Sequence, residues 1–231
     1  MTTTVRPPGW AGYVWLVLEK DLRIERQSGE IVTTTGFFAV LIVVLSSVAF
    51  STAENRVSVA PGVIWVSMAF ASVLAIGRSW HREREENALL GLLVSPLPRA
   101  ALFLGKTLGV LVFLLAVEAM VVPLTALLFA LDLIKLAPGL TLIALAATPG
   151  VAASGTLFGV MTVRTRARDL VLASVLFPLL SPTLLAAVAA TRELMAGASI
   201  GELGDYLMLM GVFGFVFVAG GLTLFGLLVE G

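Results

Sequence analysis

The chain has 231 residues, of which 58% are hydrophobic and 13% charged, with a mean hydropathy of +1.02; about 25% charge is usual in soluble domains, so a soluble globular class is excluded. Fifteen Lys and Arg balance fifteen Asp and Glu, which leaves no global basic field for nucleic acid. The absence of Cys excludes a disulfide framework, a thiolate metal site and a cysteine nucleophile, and the single His81 leaves little scope for metal or haem ligation within the chain.

Residues 9–30 come first. Trp10, Val14, Val17, Leu18 and Leu22 fall near helical spacing, with Glu19, Lys20, Arg23, Arg26 and Glu30 opposite them. The pattern predicts an amphipathic helix lying in the membrane interface, with Trp10, Tyr13 and Trp15 at the headgroup level. No apolar core with a small-residue cleavage site follows Arg6, so no secretory signal is expected here.

A spanning helix needs about 20 mostly apolar residues. Such windows run roughly from Gly36 to Phe50, Pro61 to Gly77, Leu108 to Leu131, Leu140 to Val163, Leu170 to Ala190 and Tyr206 to Val229, giving six spans. None shows the period-two alternation of a lipid-facing barrel, so the fold class is all-α and polytopic, one transmembrane domain over 1–231. The first two windows are short, and their helices either extend into polar flanks or sit at a slight tilt.

Between spans two and three, Arg82 to Val94 is rich in helix formers and is stopped by Pro96 and Pro98. Glu83, Glu86 and Leu90 share one face, and Leu89, Leu92 and Leu93 form an apolar one. Residues 82–94 thus predict a short cytoplasmic helix that a partner could grip, with Arg82, Glu83, Glu85, Glu86, Leu89, Leu90 and Leu93 as its docking residues; the alternative is an inert hairpin with a solvated charge run. Just beyond, Gly105, Lys106 and Thr107 imitate the end of a phosphate-binding loop. Ala100 replaces the glycine that motif needs, and no strand precedes it, so Lys106 reads as a charge anchoring span three at the interface.

Glu118 is the acidic residue near the middle of a span, where a lipid-facing charge costs at least about 2.5 kcal/mol; it is expected to face protein or water, in a pathway, at a dimer seam, or as a packing residue. Gly155 and Gly159 give a small-xxx-small face suited to close helix approach. Pro123, Pro149, Pro178 and Pro182 are expected to kink or interrupt their helices. Thr191 to Asp205, with Arg192, Glu193 and Glu202, reads as the longest outer loop, either docking partners or connecting to span six under an Asp205 cap.

Six spans put both ends on one side. Arg6, Lys20, Arg23, Arg26, Arg78, Arg82, Arg84, Arg99, Lys106, Arg164, Arg166 and Arg168 fall there, twelve residues, against three, Arg56, Lys135 and Arg192, on the other. The asymmetry places both termini in the cytoplasm.

Three further segments complete a pattern with the charged stretch RSWHREREENALLGLLVSPLPR at Arg78 to Arg99: APGVIWV at Ala60 to Val66, TPGVAASGTLFGVMTVRTR at Thr148 to Arg166, and LFPLLSPTL at Leu176 to Leu184. In this order they resemble the haem exporter B subunits of cytochrome c maturation, six-span permeases of ATP-binding cassette systems. The family often carries an acidic residue followed by Gly in the middle of the charged segment, where this chain has Glu86, Asn87 and Ala88. The resemblance implies a bacterial inner-membrane subunit, itself no enzyme, that pairs with a second copy and with a cytoplasmic ATPase. It would work beside a haem-handling membrane subunit and a haem chaperone. ATP would be used by the partner and haem handled in the complex, with no cofactor bound by this chain. The cargo stays open between haem export and release of a loaded chaperone. A general exporter of a drug, lipid or polysaccharide, and a non-transporting assembly scaffold, are the other readings.

Overall fold

A computed structural model describes residues 8–52, 56–85, 91, 97–162 and 168–230. Its long helices are α1 (Trp10–Ser28), α2 (Glu30–Ala49), α3 (Ala60–Glu85), α4 (Arg99–Leu128), α5 (Leu133–Thr162), α6 (Arg168–Ala196) and α7 (Gly204–Glu230). Short 3-10 turns at Arg56–Val59 and Ile200–Leu203 precede α3 and α7. Among the described residues there is no strand, and six stretches are long and apolar enough to cross a membrane: Glu30–Ala49, Arg56–His81, Arg99–Leu128, Leu133–Met161, Ser174–Ala196 and Ile200–Val229. With no water to satisfy backbone N–H and C=O groups in the hydrocarbon, a helix that bonds to itself is the economical way across.

The two short windows of the sequence grow into full spans by recruiting polar flanks. Thr35 and Gly36 are buried in α2, and α3 continues through Arg78 and Ser79 to Glu85. Within α3 the Ser67 hydroxyl donates back to the Val63 carbonyl at 2.7 Å, whereas the buried Thr35 hydroxyl has no hydrogen-bond partner among the described residues. Pro123 lies inside α4, Pro138 and Pro149 inside α5, Pro178 and Pro182 inside α6, and all three helices run through them uninterrupted.

α4 is the hub, packed against α1, α2, α3, α5 and α7; α5 and α7 form the most extensive pair, crossing where Gly150 and Gly214 bring their backbones together. A Cβ on Gly150 would stand 3.1 Å from the Gly214 Cα. The second span is the most buried and the sixth the least. Near the start of α3, Trp65 Nε1 donates to Thr191 Oγ1 at 2.9 Å, pinning α3 to α6 inside the protein.

The outer loop expected from Thr191 to Asp205 is mostly helix. Thr191 to Ala196 are the last turns of α6, and after Gly197 (φ 100°) the Ser199 side chain with Glu202 forms a capping box over the 3-10 turn that leads into α7. Arg192, Glu193 and Glu202 favour helix, so their polarity did not end it. The cap is Ser199, not Asp205.

Candidate functional site

The polar heart of the molecule lies where α1, α3 and α4 meet. Lys20 and Asp21 come from α1, Glu83 from the last turn of α3 and Lys106 from the second turn of α4. Lys106 Nζ donates to Asp21 Oδ1 at 3.1 Å and stands 2.9 Å from Oδ2; Lys20 Nζ lies 3.1 Å from Asp21 Oδ1; both ammonium groups also contact Glu83 Oε1. The four groups form a ring of alternating charge with no net charge. Lys106 and Glu83 are each 3% exposed. Lys106 also stands 5.8 Å from the centre of the Trp80 ring, a cation–π contact.

For Glu83 and Lys20 the neighbouring charges favour the ionised state. Burial opposes the charge on Glu83, but Lys106 and Lys20 override it and hold its carboxyl below the usual glutamate value of 4.5. Burial likewise opposes the Lys20 ammonium, and Asp21 and Glu83 hold it above the usual 10.5. The Glu83 contribution to stability is therefore present above pH 4.5 and fades as pH falls through its lowered value. That of Lys20 is present below 10.5 and fades as pH rises through its raised one. A cavity of about 20 Å³, lined in part by Asp21, Ser79, Glu83 and Lys106, adjoins the ring; it has room for one water.

Local sequence explains how charged groups come so close to the bundle. Gly105 and Gly109 flank Lys106 on α4 and admit α1: a Cβ on Gly105 would lie 2.6 Å from Val17 Cβ, and one on Gly109 3.4 Å from Asp21 Oδ2. Val14, Val17, Asp21 and Glu25 are the buried stripe of α1, while Trp15 is 62% exposed. α1 turns into α2 at Gly29, whose φ of 62° favours glycine. There Glu25 Oε1 accepts the Val32 N–H at 2.8 Å, satisfying a free donor at the start of α2. Glu30 and Arg78 add an exposed pair at 2.8 Å between α2 and α3.

The sequence places Glu83 on a docking face and Lys106 at the interface; both lie instead in this buried ring. Arg82 and Glu85 belong to the last turn of α3, whereas Glu86, Leu89, Leu90 and Leu93 lie outside the described residues. The pairing of Glu83 with Lys106 is invisible to a hydropathy window, which scores each charge as solvated. Gly105-x-x-x-Gly109 around a lysine was the available signal, since paired glycines mark close approach of another helix.

Glu118 is 5% exposed on α4, and Thr148 of α5 donates to its Oε2 at 3.1 Å. It lines a mainly apolar groove of about 360 Å³ between these two helices. Glu118→Gln keeps a polar partner for Thr148, whereas Glu118→Leu leaves that hydroxyl alone at membrane depth, a loss of about 1–3 kcal/mol. Gln is expected to retain near-normal membrane abundance and Leu to lower it severalfold; equal, wild-type levels for both, read by quantitative immunoblot, would remove any role for the carboxyl group.

Gly155 and Gly159 on α5 face α3. An added Cβ would fall 2.0 Å from Ile76 Cδ1 at the first and 2.3 Å from the Trp80 ring at the second. Among the described residues no group of His, Cys, Asp and Glu is placed to hold a metal ion.

Six membrane-length helices around a polar joint at one end mark a multi-pass integral membrane protein. The chain belongs to the CcmB protein family, whose profile matches residues 13–224. It is 26% identical over 183 residues to heme exporter protein B of Pseudomonas aeruginosa, covering 79% of this chain and 82% of that protein. It is 29% identical over 96 residues to heme exporter protein B of Escherichia coli K12, covering 41% and 44% of the two chains.

Proposed function

We propose that the chain is the permease subunit of an ATP-binding cassette system in cytochrome c maturation. In this reading it couples ATP hydrolysis by a separate cytoplasmic ATPase to haem export or to release of a haem-loaded chaperone. The observation that carries the reading is the CcmB family match along nearly the whole chain, joined to relatives that bear the name heme exporter protein B. The protein works as a homodimer beside a haem-handling membrane subunit and a haem chaperone, in the bacterial inner membrane. Both termini are cytoplasmic, an orientation supported by the twelve-to-three distribution of Lys and Arg.

The ATPase grips the segment that follows α3, chiefly through Leu89, Leu90 and Leu93, because buried leucines carry binding energy while exposed rim charges contribute little. Leu89→Asp and Leu93→Asp are expected to cut co-purification of the ATPase by about tenfold or more, a loss of at least ~1.4 kcal/mol of affinity, while the spans stay inserted. Co-purification and ATP-dependent cytochrome c maturation both at wild-type levels in the two variants would refute coupling and favour a scaffold.

A further inference from the structure

We infer that Glu83 is a positioning residue for transport, the joint through which movement of the segment after α3 is passed to α1 and α4. The inference rests on the permease reading for its driver, but its mechanics are those of the ion ring alone. α1 packs along α4, and among the described residues its charged link to α3 is the contact of Lys20 with Glu83. Glu83 stands in the last turn of α3, three residues before the segment proposed to meet the ATPase. Any pull on that segment therefore reaches the ring first.

The ring resists being opened. If Glu83 left it alone, Lys20 and Lys106 would share Asp21, and Lys106, at 3% exposure, has room beside it for a single water in place of the lost carboxylate. An unpaired buried charge is strongly disfavoured, so α1 and the inner end of α4 must follow Glu83 or hold it in place. Gly105 and Gly109 hold α1 close against α4, with Val17 seated on the first and Asp21 on the second, so the two helices move together. From α1 the motion passes across the Gly29 corner into α2.

Two balanced double variants separate a joint from mere packing. Lys20→Met with Glu83→Gln leaves the neutral Asp21–Lys106 pair and cuts α3 out of the ring. Lys20→Gln with Asp21→Asn leaves Lys106–Glu83 and cuts out α1. Each removes one charge of either sign, so insertion and abundance are expected to stay within about twofold of wild type, and if one fails to accumulate the other still reports. The ATPase is expected to co-purify, yet mature cytochrome c per inserted protein falls at least tenfold. Because the chain has no cysteine, Gln27→Cys on α1 and Phe70→Cys on α3 carry the only spin labels on it. With labelled chains diluted in an excess of unlabelled protein, so that one copy of each dimer carries labels, the distance between them is expected to be single and narrow in the otherwise wild-type chain, with or without ATP and vanadate, and to broaden in both doubles. Normal maturation together with a narrow distance in the doubles overturns the joint. Should no ATPase co-purify with the wild-type chain, the permease reading fails by itself, and the distance measured on the isolated protein still decides the joint: broadening upholds it, an unchanged width refutes it.

Discussion

Gly155→Ala is expected to destabilise the folded protein by about 1–3 kcal/mol, the usual consequence of forcing a methyl into a filled interior. The new carbon would overlap Ile76 Cδ1 at 2.0 Å and Cγ1 at 2.8 Å, and Ile76 is fully buried with nowhere to turn. Only its Cβ, at 3.8 Å, lies at ordinary contact distance. Adding Ile76→Ala removes the two overlapping atoms, so Gly155→Ala on that background is expected to have almost no further effect. A thermal unfolding series in detergent of the two single variants and the double gives the coupling energy directly. Simple additivity would show that α3 and α5 do not touch at this point.

Lys106→Met is expected to have the largest effect of any single charge removal, about 3–5 kcal/mol, because it strands Asp21 and Glu83 on a single lysine. Lys20→Met is expected to do far less, since the Lys20 side chain is 33% exposed and water can stand in for it. Glu83→Gln added to Lys106→Met restores charge balance and is expected to recover most of the loss. Unfolding midpoints of the three variants check the sequence of effects; equal midpoints for Lys106→Met and Lys20→Met would refute the exposure argument.

The spans were legible because a run of apolar residues has one comfortable solvent, and polar runs such as Arg78 to Glu85 mark where that run stops. What such a reading mistakes is the purpose of the polar run. Glu83 sits in a stretch that composition labels solvated and Lys106 at the edge of a span, and a helix from another part of the chain makes both interior. Arg192 and Glu193 misled in the opposite direction: they ended the apolar window without ending α6, because helix propensity and membrane affinity are different properties of a residue. Glu118 was recognisable as a buried group, but its partner Thr148 lies 30 residues away on the next helix and is set by packing. Gly155 and Gly159 could be seen as a small face, while Ile76 and Trp80, which fill it, could not.

The distance along the chain between Asp21 and Lys106, 85 residues, fixes an order of events during synthesis. α1 is made before α4, yet its seat between Gly105 and Gly109 does not exist until α4 has been made and inserted. A helix made early is thus fastened late, once the three spans that follow it in the chain are in place.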